Sequence, residues 1–174
     1  MSITDYFVLY TLARTDLPSM GVGKAAAHMV HAGNKFTYDH LHLLVDEGRN
    51  PVKMWHVEGN GFGTTISLHS KNEVTNNVLM SIHDEHLSNA KPYFKEYSAS
   101  GLVVDPTYPY VVDSEIVGLI DKSIHTKEPI DLGNGMFLCH REEITAMYVF
   151  GLKSDLEPIM KGFGLMPNVH VSKI

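Results

Sequence analysis

The sequence predicts an α/β fold, in which a small β-sheet is flanked by helices. Short apolar segments rich in β-branched and aromatic residues alternate with longer segments of helical periodicity, a pattern typical of layered α/β domains. The chain has 174 residues, 44 % hydrophobic and 20 % charged, which is enough to bury one core. No internal repeat or linker is evident, so residues 1–174 are predicted to form a single domain.

The first half of the chain predicts two strands and a long helix. Residues 6–13 (YFVLYTLA) are apolar throughout, which is typical of a strand buried on both faces. After a loop of turn-forming residues, good helix formers begin at Lys24, and we expect a helix to about Leu44 that Gly33 bends or interrupts. Residues 49–63 read as a loop, and residues 64–69 as a short strand.

The second half predicts two more strands and two capped helices. Ser70 and Glu73 form a capping box, and apolar residues then recur at helical spacing, which predicts an amphipathic helix. Residues 100–105 (SGLVVD) and 144–152 (ITAMYVFGL) are expected to be strands. Ser154 and Glu157 form a second capping box before a short helix that ends near Gly162.

Residues 106–143 depart from this alternation. The segment PTYPYVVD is rich in proline and tyrosine, EIVGLIDKSI fits a short helix, and Gly133-Asn134-Gly135 indicates a hairpin turn. Exposed tyrosines and prolines suit stacking on bases or docking of a partner. The other interpretation is that these aromatic residues pack the segment against the domain.

Composition limits the function classes. The net charge is −6, so an RNA-binding protein of this sequence would need a local basic surface with its acidic residues elsewhere. No apolar run approaches the roughly 18 residues that span a bilayer, and the start lacks the pattern of a signal peptide. The single cysteine, Cys139, is either a nucleophile beside His140 or a small buried hydrophobe, and the alternation of strand residues favours the second. We expect a cytoplasmic protein without a membrane partner.

Residues 13–32 (ARTDLPSMGVGKAAAHMVHA) contain the pattern most closely tied to chemistry. The match to a phosphate-binding loop, G-x-x-x-x-G-K-[ST], fails at Pro18 and at Ala25. Lys24, His28 and His31 nevertheless share one helix face, and the helix N-terminus and the lysine together suit an anion or an oxyanion. The two histidines fit a satisfied core pair or two metal ligands, but spacing identifies no third ligand. We therefore expect neither a metal nor a cofactor.

This stretch resembles the signature of the type-2 peptidyl-tRNA hydrolases. The matching pattern is R-x-D-L followed by M-G-x-G-K-x-A-A-x-x-x-H-A, and the resemblance continues through Trp55, the strand after Gly63, GLVVD and the last strand and helix. The matching residues of the signature are Arg14, Asp16, Leu17, Met20, Gly21, Gly23, Lys24, Ala26, Ala27, His31 and Ala32. The resemblance implies one three-layer domain with a small mixed sheet of about four strands, extended here by an insertion at about residues 106–143.

The resemblance also implies an activity and a site. The activity is hydrolysis of the ester in peptidyl-tRNA, with the 3′ end and phosphates of the tRNA as the groups bound, by a protein that is commonly a homodimer. Lys24, Asp105 and Thr145 match the family's residues at the catalytic site. Substrate-binding positions are implied at His31, Asp16, His28 and Arg14, although the family usually has glutamine in place of His28.

Two departures keep a second hypothesis open. Val22 stands where the family usually has a lysine, and PTYPY follows Asp105 where the family has A-G-R-T-Q. The second hypothesis is a weakened or inactive relative that binds RNA or a protein through residues 106–143. Within the first hypothesis, Lys24 and Asp105 either act on the ester or form an ion pair that shapes the pocket.

Overall fold

The computed structural model describes residues 5–61, 63–70, 72–89 and 99–165. In chain order, the elements are β1 (Phe7–Ala13), α1 (Val22–Asp39), α2 (Leu41–Val45), α3 (Pro51–Glu58), β2 (Thr65–His69), α4 (Asn76–Asn89), β3 (Ala99–Asp113), α5 (Ser114–Val117), a 3-10 turn (Lys122–Ile124), β4 (His125–Gly133), β5 (Met136–Leu152), α6 (Lys153–Met160) and β6 (Gly164–Leu165).

The described strands form one mixed sheet, which confirms the α/β class. Five strands follow the order β3-β5-β1-β2-β6, and β4 pairs with β5 outside this path. β1 and β2 are parallel, whereas β5 is antiparallel to its three neighbours. The sheet therefore has six strands instead of about four. The two additional strands are β4, from residues 106–143, and the short β6.

Helices pack on both faces of the sheet, so the domain has three layers. Alternate residues of β1, beginning at Phe7, face α1 and α3 in one buried cluster. The residues between them, beginning at Val8, face α4 and α6 in a second cluster. The prediction that residues 6–13 form a strand buried on both faces is thus confirmed.

The helices differ from the prediction in two places. The helix expected to reach Leu44 ends at Asp39, and α2 follows after a break at His40, whereas Gly33 lies inside an uninterrupted α1. The loop predicted at residues 49–63 contains α3. Asn50 caps this helix by accepting a hydrogen bond from the Lys53 N–H, at 2.9 Å, and Pro51 takes the first helical position.

Neither predicted capping box caps its helix. The Ser70 hydroxyl accepts a hydrogen bond from the N–H of Asn72 instead, and α4 begins only at Asn76, where the Thr75 hydroxyl accepts from the Val78 N–H. Ser154 lies inside the first turn of α6 and donates its hydroxyl to Asp5. In both cases, the serine hydroxyl makes a hydrogen bond outside the helix that it was predicted to cap.

Residues 106–143 form a β-structured extension, called the arm below. β3 and β5 run on from the sheet into the arm, where β4 pairs with β5. The predicted hairpin turn is confirmed, because Gly133 pairs with Met136 and the two residues between them have positive φ, 54° at Asn134 and 74° at Gly135. The predicted short helix is the single turn α5.

Two further observations concern burial and hydropathy. Cys139 is fully buried in β5, and burial raises the pKa of its thiol. A buried, protonated thiol is a poor nucleophile, so Cys139 is the small buried hydrophobe that strand alternation favoured.

Across the described ranges, no helix combines the length and apolar character required to cross a membrane.

Candidate functional site

Lys24 lies in the first turn of α1 and marks the centre of the candidate site. Gly21 precedes the helix in an extended conformation, and no side chain caps the helix N-terminus. The Lys24 ammonium donates a hydrogen bond to the Ser19 hydroxyl at 3.2 Å. Its positive charge therefore adds to that of the uncapped helix end. Val22, where the resemblance suggests a second lysine, is 73 % exposed and contributes no charge.

Tyr108 forms the floor beneath this lysine. The Lys24 ammonium lies 4.0 Å from the centre of the Tyr108 ring, which is a cation–π contact. The tyrosine is fully buried and donates its hydroxyl to the carbonyl of Pro18 at 2.6 Å. It thereby ties β3 to the loop after β1. The composition of PTYPY is distinctive in the sequence, but no local pattern places Tyr108 in the site.

His28 lies one turn further along α1, between the charged groups. Its side chain is buried, with 7 % exposure, and its Nδ1 atom has no hydrogen-bond partner. Burial lowers the pKa of His28, Asp105 opposes that effect, and the charges of His31 and Lys24 add to it. Lys24 and Asp105 thus lie close enough to His28 for both to act on it electrostatically.

Asp105 lies at an irregularity in β3 and not at the end of a strand, as the sequence suggested. Asp105 pairs with Glu143 and Tyr108 with Arg141, so β3 has one residue more than β5 between these pairs. The Asp105 carboxylate accepts a hydrogen bond from the Thr107 N–H at 2.8 Å. Among the described ion pairs, none joins Asp105 to Lys24.

Thr145 does not line the site. It is the extra residue of a second irregularity, because Val103 pairs with Ala146 and Val104 with Ile144. Thr145 is 0 % exposed, and its hydroxyl donates to the carbonyl of Val103 at 3.3 Å. The expected contact between this hydroxyl and a substrate is therefore wrong. The threonine stabilises the bend of β5 instead.

Arg14 and Asp16 belong to a buried ion network and not to an open binding surface. The Arg14 guanidinium donates to both carboxylate oxygens of Asp16, at 2.8 and 2.7 Å, and also to Glu143. These hydrogen bonds raise the pKa of Arg14 and lower the pKa of Asp16. The resemblance implied that Arg14 and Asp16 bind the substrate, but in this arrangement the donors of Arg14 are engaged within the protein.

The histidine pair of α1 is only partly accessible. His31 is exposed and its ring centre lies 5.8 Å from that of His28. Among the described residues, no three histidine, cysteine or carboxylate side chains are grouped so that they could hold a metal ion. The pair therefore presents one surface imidazole, His31, and one buried imidazole, His28.

Most of the net negative charge of the chain lies in the arm. The arm contains seven acidic and three basic residues, a net charge of −4 out of the −6 of the whole chain. The remaining 136 residues therefore carry a net charge of only −2. The charged residues at the start of α1 and in the loop before it include Lys24, Arg14 and Asp16. The acidic arm and the Lys24 site adjoin each other at Asp105 and Tyr108.

No protein-family model and no curated protein matches the chain. The resemblance to the type-2 peptidyl-tRNA hydrolases consequently depends on the residues named above.

The lowered pKa of His28 predicts how the free energy of unfolding changes with pH. Its pKa in the folded protein lies below its ordinary value of 6.5, so the folded state binds fewer protons than the unfolded state near that pH. The free energy of unfolding should be highest above about pH 6.5 and should fall as the pH is lowered from there toward the folded pKa. Urea unfolding of the wild type between pH 8 and pH 5 measures this decline.

A matched pair of variants assigns the decline to His28. His28→Gln should reduce the slope of stability against pH, and the slope that remains is expected from His86, whose pKa burial also lowers. His31→Gln, at an exposed position on the same helix, should change the slope less than His28→Gln does, because it removes only a charge that adds to the effect of burial on the His28 pKa. A larger effect at His31 than at His28 would show that burial of His28 is not the cause.

Proposed function

We propose that the protein hydrolyses the ester that joins a peptide to the 3′-terminal ribose of tRNA. The observation that carries the proposal is that Lys24, at the uncapped N-terminus of α1, lies 4.0 Å from the ring centre of Tyr108, three residues after Asp105 in β3, and that Lys24 and Asp105 both act electrostatically on the buried His28. A cation and a carboxylate are the two groups that ester hydrolysis by water requires. The resemblance of residues 13–32 to the hydrolase signature supports the same chemistry.

In the proposed reaction, Asp105 orients a water molecule and accepts its proton as the water oxygen attacks the ester carbonyl carbon. Negative charge develops on the carbonyl oxygen, where the Lys24 ammonium and the N–H groups of the first turn of α1 stabilise it. The bond from carbon to the ribose oxygen then breaks, and the proton held by Asp105 passes to that oxygen. The products are free peptide and tRNA, and no step requires a cofactor.

The residues around these two groups hold them in place. The Tyr108 ring restricts the Lys24 ammonium from below, and the Thr107 N–H keeps one Asp105 oxygen directed along β3. His28 is neutral at pH 7 because burial lowers its pKa, so it adds no charge that would neutralise Asp105. In this proposal, His31 is the exposed group on the same helix face that contacts the tRNA end.

In this proposal, the positive groups that meet the tRNA are the Lys24 ammonium and the N–H groups at the N-terminus of α1. The proposal includes a cytoplasmic location and a homodimeric state, both of which the resemblance implies.

The proposal is tested by release of peptide from purified peptidyl-tRNA. Lys24→Gln removes the charge but keeps a polar side chain, and we expect kcat/KM to fall by about 10²-fold, the typical effect of losing one oxyanion-stabilising group. Lys35→Gln is the matched control, because Lys35 lies on the same helix, where its described ion pair is with the half-exposed Asp39. That control should retain the wild-type rate, since exposed pairs contribute little.

Equal rates for the two lysine variants would remove Lys24 from the mechanism. The absence of peptide release by the wild type would overturn the proposed activity itself. The second candidate, a non-catalytic binding protein, would then account for the retained scaffold.

A further inference from the structure

One face of the arm carries a row of exposed apolar side chains. Val111 of β3 and Ile130 of β4 each pair with Leu138 of β5, so the three residues lie side by side across three strands. Val111 is 50 % exposed and Ile130 is 52 % exposed, whereas Leu138 between them is half-buried. Met136, two residues before Leu138 in β5, is also exposed and extends this apolar row.

The opposite face of the arm is covered. There, Tyr110 and Cys139 are directly paired and both are buried. His125 stacks on the Tyr110 ring with an interplanar angle of 8°, and the Arg141 guanidinium lies 4.9 Å from the centre of the same ring. Val117, the last residue of α5, and Phe137 both line a cavity of about 540 Å³ on this part of the arm. The two faces of one small sheet thus differ, because the buried pair of Tyr110 and Cys139 lies on one face and the exposed apolar row lies on the other.

The negative charge of the arm favours some partners over others for the apolar row. Seven acidic residues against three basic ones give the arm a net charge of −4. Asp113 lies at the end of β3 near the apolar row, and the exposed Glu142 follows in β5. Asp121 remains ionised to low pH, because the Ser123 N–H and hydroxyl bonded to it lower its pKa. A polyanion would be repelled by this surface, and so would a second copy of the same acidic arm.

The edge of β4 is less suited to binding than the face. β4 has no described strand on its outer side, but Pro129 lies at its centre, where it supplies no N–H group. The pairing of β4 with β5 also shifts register between Lys127 and Ile130. Proline and irregular register are features that hinder addition of another strand, so a partner would bind through side chains.

We propose that the arm docks a partner protein through this apolar row, and that the partner presents an amphipathic helix with apolar residues on one face and lysine or arginine beside them. The apolar side chains of the partner would cover Val111, Leu138 and Ile130, and its cations would lie against the acidic residues of the arm. The inference is independent of the hydrolase activity, because none of these three residues belongs to the proposed catalytic site.

The test uses a synthetic helical peptide of 18 residues, built from leucine and lysine with the leucines at helical spacing. We expect the full chain to bind this peptide in isothermal titration calorimetry, and binding should weaken as salt is raised. A peptide with serine in place of leucine keeps the charge, and one with glutamate in place of lysine keeps the apolar face. Both control peptides should bind at least about tenfold more weakly, because each lacks one of the two interactions.

A variant with two substitutions, called the paired variant, tests whether the peptide binds at the apolar row. Val111→Thr combined with Ile130→Thr preserves β-branching and charge, and it should weaken the leucine–lysine peptide about tenfold through loss of apolar contact. Its thermal midpoint and its rate on peptidyl-tRNA should match those of the wild type. Equal affinity of wild type and variant would overturn the proposal, as would equal affinity for the three peptides.

Two other outcomes would assign the face to a different occupant and so contradict the proposal. One is a wild-type dimer in analytical ultracentrifugation that becomes a monomer in the paired variant, since a second copy would then cover the apolar row. The other is binding of a single-stranded oligouridine that the paired variant weakens as much as it weakens the peptide.

Discussion

Asp105→Asn is expected to lower kcat/KM for peptide release by about 10²–10⁴-fold, the usual contribution of general acid–base catalysis. Asparagine keeps the size of the side chain and can still accept a hydrogen bond from the Thr107 N–H. It cannot accept a proton from water at neutral pH, however, so the chemical step should slow while substrate binding persists. Single-turnover rates at saturating enzyme separate the chemical step from binding.

Asp113→Asn is the matched control for this substitution. Asp113 is the last residue of the same strand and caps α5 by accepting a hydrogen bond from the Ile116 N–H. Asparagine caps helices as well as aspartate does, so the control should fold and react like the wild type. An Asp105→Asn rate within about twofold of the control would show that this carboxylate does not take the proton.

Arg14→Met is expected to lower the free energy of unfolding by about 3–5 kcal/mol, the cost of removing one partner from a buried ion network. The side chain of Arg14 is 8 % exposed, and it holds the carboxylates of Asp16 and Glu143. Without it, the Asp16 carboxylate loses its ion pair, and the Glu143 carboxylate keeps its ion pair with Arg141. Urea denaturation at pH 7 measures the loss, which should shrink below about pH 4 as the carboxylates become protonated.

The triple variant Arg14→Met, Asp16→Asn, Glu143→Gln is the control for charge. Removing both carboxylates together with the Arg14 guanidinium should recover much of the stability, because replacing a buried network is far less costly than breaking it. If Arg14→Met instead kept wild-type stability and only weakened tRNA binding, Arg14 would be the substrate-binding residue that the resemblance implies.

The parts of the fold that depend on local pattern were predicted well from the sequence. The run of apolar residues in β1 indicated burial on two faces, and Gly133-Asn134-Gly135 indicated a tight hairpin, because positive φ is favourable at these residue types. The helix cap at Asn50 could also have been predicted, because an asparagine followed by a proline is typical of a helix N-terminus. It was missed because the surrounding residues lack a clear apolar periodicity.

Features of the fold that depend on contacts between residues far apart in the chain could not be predicted from the sequence. Arg14 and Thr145 match a family signature, but their burial follows from the irregular pairing of β3 with β5, which no local pattern specifies. Tyr108 is the clearest case, because PTYPY fitted both exposed tyrosines and aromatic residues that pack the segment against the domain, and Tyr108 is fully buried. The extra residue between Asp105 and Tyr108 turns the Tyr108 ring under Lys24. Only the pairing of two strands about 35 residues apart produces that result.

Lys24 and Asp105 are proposed to act on the same ester, and a double-mutant cycle on peptide release tests that claim most directly. The wild type, Lys24→Gln, Asp105→Asn and the double variant are compared by kcat/KM on one peptidyl-tRNA. We predict that the wild type releases peptide and that the double variant is slower than Asp105→Asn by much less than the loss seen for Lys24→Gln alone, because groups that act in one step are not additive. Losses that multiply in full, or a wild type no faster than the uncatalysed reaction, would contradict the shared site.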